Sequence, residues 1–175
     1  MQRRLVVTGQ RSDGRAIVVR DEMIDALTVS LAPGSAFYPM WGADTPPTLP
    51  QNGVRPTTSE WFPPAGGFRF TLLTLPPDSE VVPPSDLQSA LEEAAAKLPG
   101  MLAAVDTEYP HMHTTDTIDF VAILSGRLWL EVDDGQEVEL RKGDSLIQNG
   151  TRHAWHNRAP EPCEMIAATI GVQRA

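Results

Sequence analysis

The chain has one cysteine in 175 residues. No intramolecular disulfide framework can brace it, and a reducing, cytoplasmic compartment is expected. That residue, Cys163, lies between Pro162 and Glu164 at the start of an apolar run and reads as an inert packed thiol. No apolar run approaches the ~20 residues of a membrane span. The opening Met1-Gln-Arg-Arg-Leu-Val-Val-Thr-Gly9 has the positive charge of a signal peptide but not its long apolar stretch. Basic residues are scarce: 14 Lys and Arg stand against 23 Asp and Glu, a formal charge of −9. That balance argues against nucleic acid and anionic membrane as partners, since both reward clustered cations. Gly-x-Ser-x-Gly and Walker-type loops are absent, no internal repeat is evident, and no serine is flagged for a Ser-His-Asp triad. No single residue is therefore assigned a catalytic role.

Turn formers, by contrast, are plentiful. Sixteen prolines and thirteen glycines favour many turns over long helices, and 175 residues suit one domain, 1–175. Residues 1–107 comprise strands, a proline-rich loop and a helix. Strand candidates are Arg4–Thr8, Ala16–Arg20 and Ala26–Leu31, with Gly9–Gly14 as a hairpin turn between the first two. Residues 41–66, carrying Trp41 and Trp61 among prolines, predict an extended loop rather than a helix or central strand; a lid over a pocket and a dimer-exchanged arm are the other readings. Phe68–Leu75 alternates as a strand. After Pro83-Pro84, Ser85 and Gln88 resemble a capping box. Leu87, Ala90, Leu91, Ala94, Ala95 and Leu98 then share a helical face until Pro99-Gly100 ends it. The polar face (Glu92, Glu93, Lys97) is expected in solvent.

From Thr117 onward strand follows strand: 117–124, 127–132, 136–140, 145–148, 153–157 and 163–171. Gly- and Asp-containing turns separate them, a pattern that indicates a β-sandwich or barrel. Side chains alternate across a strand. If one strand runs unbroken from residue 111, then His111, His113, Thr115, Thr117 and Asp119 point the same way as Val121 and Ile123, toward the interior. His153, Trp155 and Asn157 share one parity on a later strand, and His156 takes the other and faces outward. Two strands can thus aim imidazoles and a carboxylate into one cavity, where three or four ligands would hold a metal with open positions. A metal-free polar pocket is the competing reading. Trp155, Gln148, Thr115 and Thr117 are the candidate pocket residues.

These residues carry a family resemblance. The segment 108–171 resembles a cupin, a small β-barrel whose two motifs bracket a metal. The first motif runs roughly His-x-His, three or four residues, Glu, six residues, Gly. Here Gly126 anchors it, Asp119 stands at the Glu, His113 at the first histidine and Thr115 at the second. The second runs Gly, five residues, Pro-x-Gly-x-x-His, three residues, Asn. It is matched by Gly143, Gly150, His153 and Asn157, with the proline lost and one residue missing. Thr115 thus replaces a ligand histidine, and His111, two residues before the motif, is the candidate to compensate through a strand bulge.

The resemblance implies a mainly all-β double-stranded β-helix, or jelly-roll barrel, with an N-terminal strand extension and one inserted helix. It also implies a homodimer. The leading functional expectation is a metal-dependent enzyme acting on a small apolar or aromatic molecule. His113, His153 and Asp119, with His111, would hold Fe, Mn, Zn or Ni for oxygenase, isomerase, decarboxylase or lyase chemistry. The alternative is a non-catalytic small-molecule-binding cupin with a degenerate metal site, and a purely structural subunit is the third reading. The fold itself does not choose among them.

Overall fold

The computed structural model describes residues 2–175. Ten strands and one α-helix follow in the order β1 (Gln2–Gln10), β2 (Ala16–Asp25), β3 (Ala36–Ala43), β4 (Phe68–Leu75), α1 (Leu87–Lys97), β5 (Thr117–Ser125), β6 (Arg127–Glu131), β7 (Glu137–Arg141), β8 (Ser145–Gln148), β9 (Ala154–His156) and β10 (Cys163–Gly171). A five-stranded sheet, ordered β3-β4-β10-β5-β8, faces a three-stranded sheet, β7-β6-β9, and every strand pairing is antiparallel. This is the mainly β, jelly-roll architecture expected, with the N-terminal extension as a separate hairpin, β1-β2.

Alternation places the core. Val121 and Ile123 of β5 and Met165 and Ala167 of β10 meet Leu128 and Leu130 of β6 between the sheets. Leu128 is fully buried, a burial worth about 1.5–3 kcal/mol. The hairpin lays Leu5 and Val7 on Tyr38, Met40 and Leu72, the outer face of the β3 and β4 end. Turn chemistry closes the strands. Gly126 has φ +70°, and a Cβ there would lie 2.6 Å from the Pro162 carbonyl oxygen, so the β5–β6 corner admits only glycine. Asp134 and Gly135, at the centre of the Asp133–Gln136 turn, both take positive φ, as a type I′ turn requires.

Three expectations from the first hundred residues are corrected. Ala26–Leu31 is not a strand; it contributes only a bridge from Leu27 to Phe37. The strand lies instead at Ala36–Ala43, despite Pro39. Proline is tolerated because β3 is the sheet edge, and the ladder shifts register between Pro39 and Trp41. The helix cap is Asp86, whose carboxylate accepts from the Ser89 N–H, one residue beyond the predicted Ser85. Leu87 is consequently exposed, and Ala90, Ala94 and Leu98 make the buried stripe. The helix's polar face is only partly in solvent. Glu93 accepts from the Ser30 backbone N–H at 2.8 Å and pairs with Lys97, and those partners hold its carboxyl near 2. No helix among the described residues is long and apolar enough to cross a membrane.

Candidate functional site

Between the sheets, at the end of the barrel that α1 and its flanking loops approach, lies a cavity of about 510 Å³, within the ordinary range for small-molecule sites. Its walls are largely apolar and aromatic, with Phe37, Trp61, Phe62, Trp155, Met101 and Met165 prominent. Trp61 stands edge-on to Phe37 (ring centroids 5.6 Å, 89°), and its backbone N–H donates to the Pro99 carbonyl. The proline-rich loop therefore ends as a cavity wall, fastened to the helix terminus.

The polar end of the cavity holds His113, His153 and Asp119, with His111 at the mouth. His113 and His153 exchange backbone hydrogen bonds of 2.9 and 3.0 Å as an isolated antiparallel bridge. Directly opposed residues project to the same side, which brings the two rings to 4.1 Å. Nδ1 of His153 lies 2.9 Å from the Thr151 carbonyl oxygen. A carbonyl only accepts, so Nδ1 carries the proton and Nε2 of the neutral ring keeps a bare lone pair. Burial, then the neighbouring His153, lowers the His113 pKa from 6.5 to about 4; burial also lowers that of His153, partly offset by the Thr151 carbonyl. Both rings are neutral at physiological pH.

Asp119 faces them from β5. Burial raises its pKa, against hydrogen bonds from the Thr117 and Thr169 hydroxyls. Thr169 stands directly opposite it on β10. Oδ1 of Asp119 is buried with no hydrogen-bond partner, and so is Nε2 of Gln148, its register partner on β8. Such orphans in a native fold call for a ligand, an ion or an ordered water.

The cavity wall thus includes His111, His113, Asp119, His153 and Trp155 from the sequence expectations. Gln148, Thr115 and Thr117 are buried but do not reach it. The strand expected from residue 111 begins only at Thr117, so the parity argument fails before that point. Thr115 instead places its hydroxyl 2.8 Å from that of Thr117, and contributes no ligand where a histidine was expected. His111 is exposed, with its ring 6.3 Å from both Tyr109 and His156. Thr71, Thr169 and the loop aromatics Trp61 and Phe62 also line the cavity; only strand pairing and loop path reveal them, and neither is local in sequence. Cys163 is buried, and burial pushes its thiol up to about 11.

A metal bound at about 2.0–2.2 Å brings its ligand atoms within roughly 4.4 Å of one another. Among the described residues, the one group of three or more His, Cys, Asp or Glu whose ligand atoms all lie within 4.8 Å is Glu131, Glu137 and His156. His113, Asp119 and His153 make no such group, so as folded they do not fit a three-ligand metal. The surface group is well partnered without an ion: His156 Nε2 is 2.7 Å from Glu131, and Arg158 clasps Glu137 through both terminal nitrogens.

Residues 101–169 match the model of the cupin domain family. The chain carries a cupin domain. Two curated fungal relatives, oryzines biosynthesis cluster protein J of Aspergillus oryzae and phomopsin biosynthesis cluster protein C′ of Diaporthe leptostromiformis, are each 42% identical to this chain over 48 residues. The match covers 27% of this chain and 27% and 25% of theirs, so it spans about a quarter of the relatives' length. Among solved structures, the Cnp3 cupin domain of Schizosaccharomyces pombe aligns over 96% of this chain and 87% of its own, with a TM-score of 0.50 and 10% identity. That likeness shows the fold and no more.

Proposed function

We propose that this cupin binds a small, largely apolar organic molecule in its barrel cavity, with His153, His113 and Asp119 as the polar contacts. The observation that carries the reading is an apolar cavity of about 510 Å³ that ends in neutral imidazoles and an orphaned carboxylate oxygen. Apolar walls supply affinity, and a few convergent polar groups supply orientation. The two fungal relatives take their names from biosynthesis clusters, which supports a place in small-molecule metabolism for this chain as well. A homodimer in a reducing, cytoplasmic compartment is part of this proposal, on the cupin resemblance and the single buried thiol.

The test uses the cavity's own reporters. Trp61 and Trp155 line it, so a bound ring compound changes tryptophan emission. Ligand at a hundred times its Kd also stabilises the fold by about 2.7 kcal/mol. A panel of neutral one- and two-ring compounds is expected to give saturable emission changes that Trp155→Phe reduces. A panel without any saturable response, in emission or in melting temperature, would sink the proposal.

A metal-dependent oxygenase, isomerase, decarboxylase or lyase is the second reading, favoured by the bare Nε2 of His153 beside His113. It requires a side-chain rearrangement to complete the ligand set, and Fe, Mn, Zn or Ni would then act as Lewis acid or redox centre. Metal analysis of untagged protein decides it. Stoichiometric metal that disappears in His153→Ala, with circular dichroism unchanged, establishes the site; none in native or reconstituted protein removes it.

A further inference from the structure

We infer that the cavity selects uncharged, ring-sized molecules bearing a hydrogen-bond donor, a hydroxyl or N–H, and rejects carboxylates and other anions. The inference rests on the proposed binding of a small apolar molecule and names the ligand class that this site takes.

Its basis is an inventory of donors and acceptors. An anion moved into an apolar cavity needs a cation or several free donors, because its desolvation is otherwise uncompensated. Among the described residues, Arg69 is the single Arg or Lys on the cavity wall, and its guanidinium is spent. Nε donates to the Glu60 carbonyl, Nη1 to the carbonyls of Ala43 and Phe68, and Nη2 to Asp44 and again to Glu60. All five N–H groups of a guanidinium are thereby used. The wall amide is spent as well: Asn157 Nδ2 donates to the carbonyls of Leu75 and Glu161. His153 commits its Nδ1–H to the Thr151 carbonyl as well.

What the polar end leaves free is mainly acceptors, against the one N–H of the His113 ring. Oδ1 of Asp119 is buried without a partner, and Nε2 of His153 carries a lone pair because Nδ1–H is committed to the Thr151 carbonyl. A ligand that docks on either acceptor must bring the hydrogen. An aliphatic, aromatic or enolic hydroxyl, or a ring N–H, satisfies either acceptor while its apolar body fills the space between Trp61, Phe62 and Trp155. A carboxylate brings only further acceptors, beside a group that is itself an acid. Gln148 Nε2, behind Asp119 and off the wall, is one neutral donor and does not balance a full charge.

The experiment compares matched probes on the metal-free, untagged protein at pH 7.5, with affinities from tryptophan emission and calorimetry. 2-Naphthol is set against 2-naphthoate and 2-methoxynaphthalene, and indole against indole-3-carboxylate. The donor-bearing neutral member is expected to bind at least tenfold tighter than its carboxylate. 2-Naphthol is expected to bind about fivefold tighter than 2-methoxynaphthalene. Asp119→Ala should shrink that second ratio and leave carboxylate rejection in place. The native-protein ratios stand on their own if that variant does not fold. His111→Lys, at the exposed mouth, supplies the missing cation and should strengthen 2-naphthoate severalfold. Carboxylates that bind as tightly as their neutral partners overturn the selectivity while leaving the cavity a binding site. Failure of every probe overturns the selectivity and the binding reading together.

Discussion

Two clusters of histidine and carboxylate stand on opposite sides of one small sheet, and they behave as opposites. His113, His153 and Asp119 lie inside, with one carboxylate oxygen unpaired and both rings held neutral. His156, Glu131 and Glu137 lie on the outer face, each already in an ion pair or charge-assisted hydrogen bond. Residue types are the same, yet burial disfavours charge in one group and solvent tolerates it in the other. Proximity of ligand atoms favours the outer cluster and unsatisfied chemistry favours the inner one. A site that needs a partner is a better functional candidate than one that is already satisfied.

The sharpest way to break this contrast is to force a charge into each cluster. His113→Arg places a guanidinium among apolar walls, where the one carboxylate of Asp119 offsets only part of its desolvation, and should cost roughly 3–5 kcal/mol. His156→Arg places a cation beside Glu131, in partial contact with solvent, and should change stability by less than about 0.5 kcal/mol. Urea midpoints with unchanged slopes read both values. Equal losses at the two positions would falsify the distinction.

Acid separates the clusters next. The folded pKa of His113, about 4, lies below its ordinary 6.5, so between these values the unfolded chain binds a proton that the native chain lacks. Its contribution is fully present above pH 6.5 and is lost as pH falls through that window, by about 2 kcal/mol at pH 5. His113→Leu should flatten this part of the stability profile, and the difference between the two profiles isolates it from the carboxylates. Asp119 works in the opposite sense: burial raises its pKa, so its charge costs stability at neutral pH. Asp119→Asn is expected to raise the melting temperature at pH 7.5, by an increment that shrinks in acid. A stabilising change at a cavity residue marks a position kept for function rather than for folding.

How far the contrast was readable beforehand depends on the range of each signal. Parity placed His156 outside and His153 and Trp155 inside, because β9 is a real strand and alternation is strict within one. Gly126, Gly143 and Gly150 marked turns whose positive φ the fold confirms. The strands after residue 117 were therefore recovered nearly to the residue. Parity failed at Thr115, since nothing local shows that the extended chain breaks before Thr117. Pro39 hid β3, because only the sheet order reveals an edge strand. Arg69, read as one polar residue of an alternating strand, became informative only when all five of its partners were visible. Local pattern reports periodicity; the orphaned and the spent donors are tertiary facts.

The smallest effect belongs to the outer cluster. His156→Ala removes a 2.7 Å contact to Glu131 and a 3.9 Å approach to Asp78, both partly solvated. Such pairs are worth about 0–1 kcal/mol, and salt screens them over roughly 8–10 Å at moderate ionic strength. The loss should be about 0.5 kcal/mol in low salt and shrink in 0.5 M NaCl. The effect of His113→Arg, set by desolvation rather than by screening, should persist. A His156→Ala loss that exceeded 2 kcal/mol and ignored salt would mean that the outer cluster is effectively buried. Glu131, Glu137 and His156 would then outrank the cavity as the functional site of this protein.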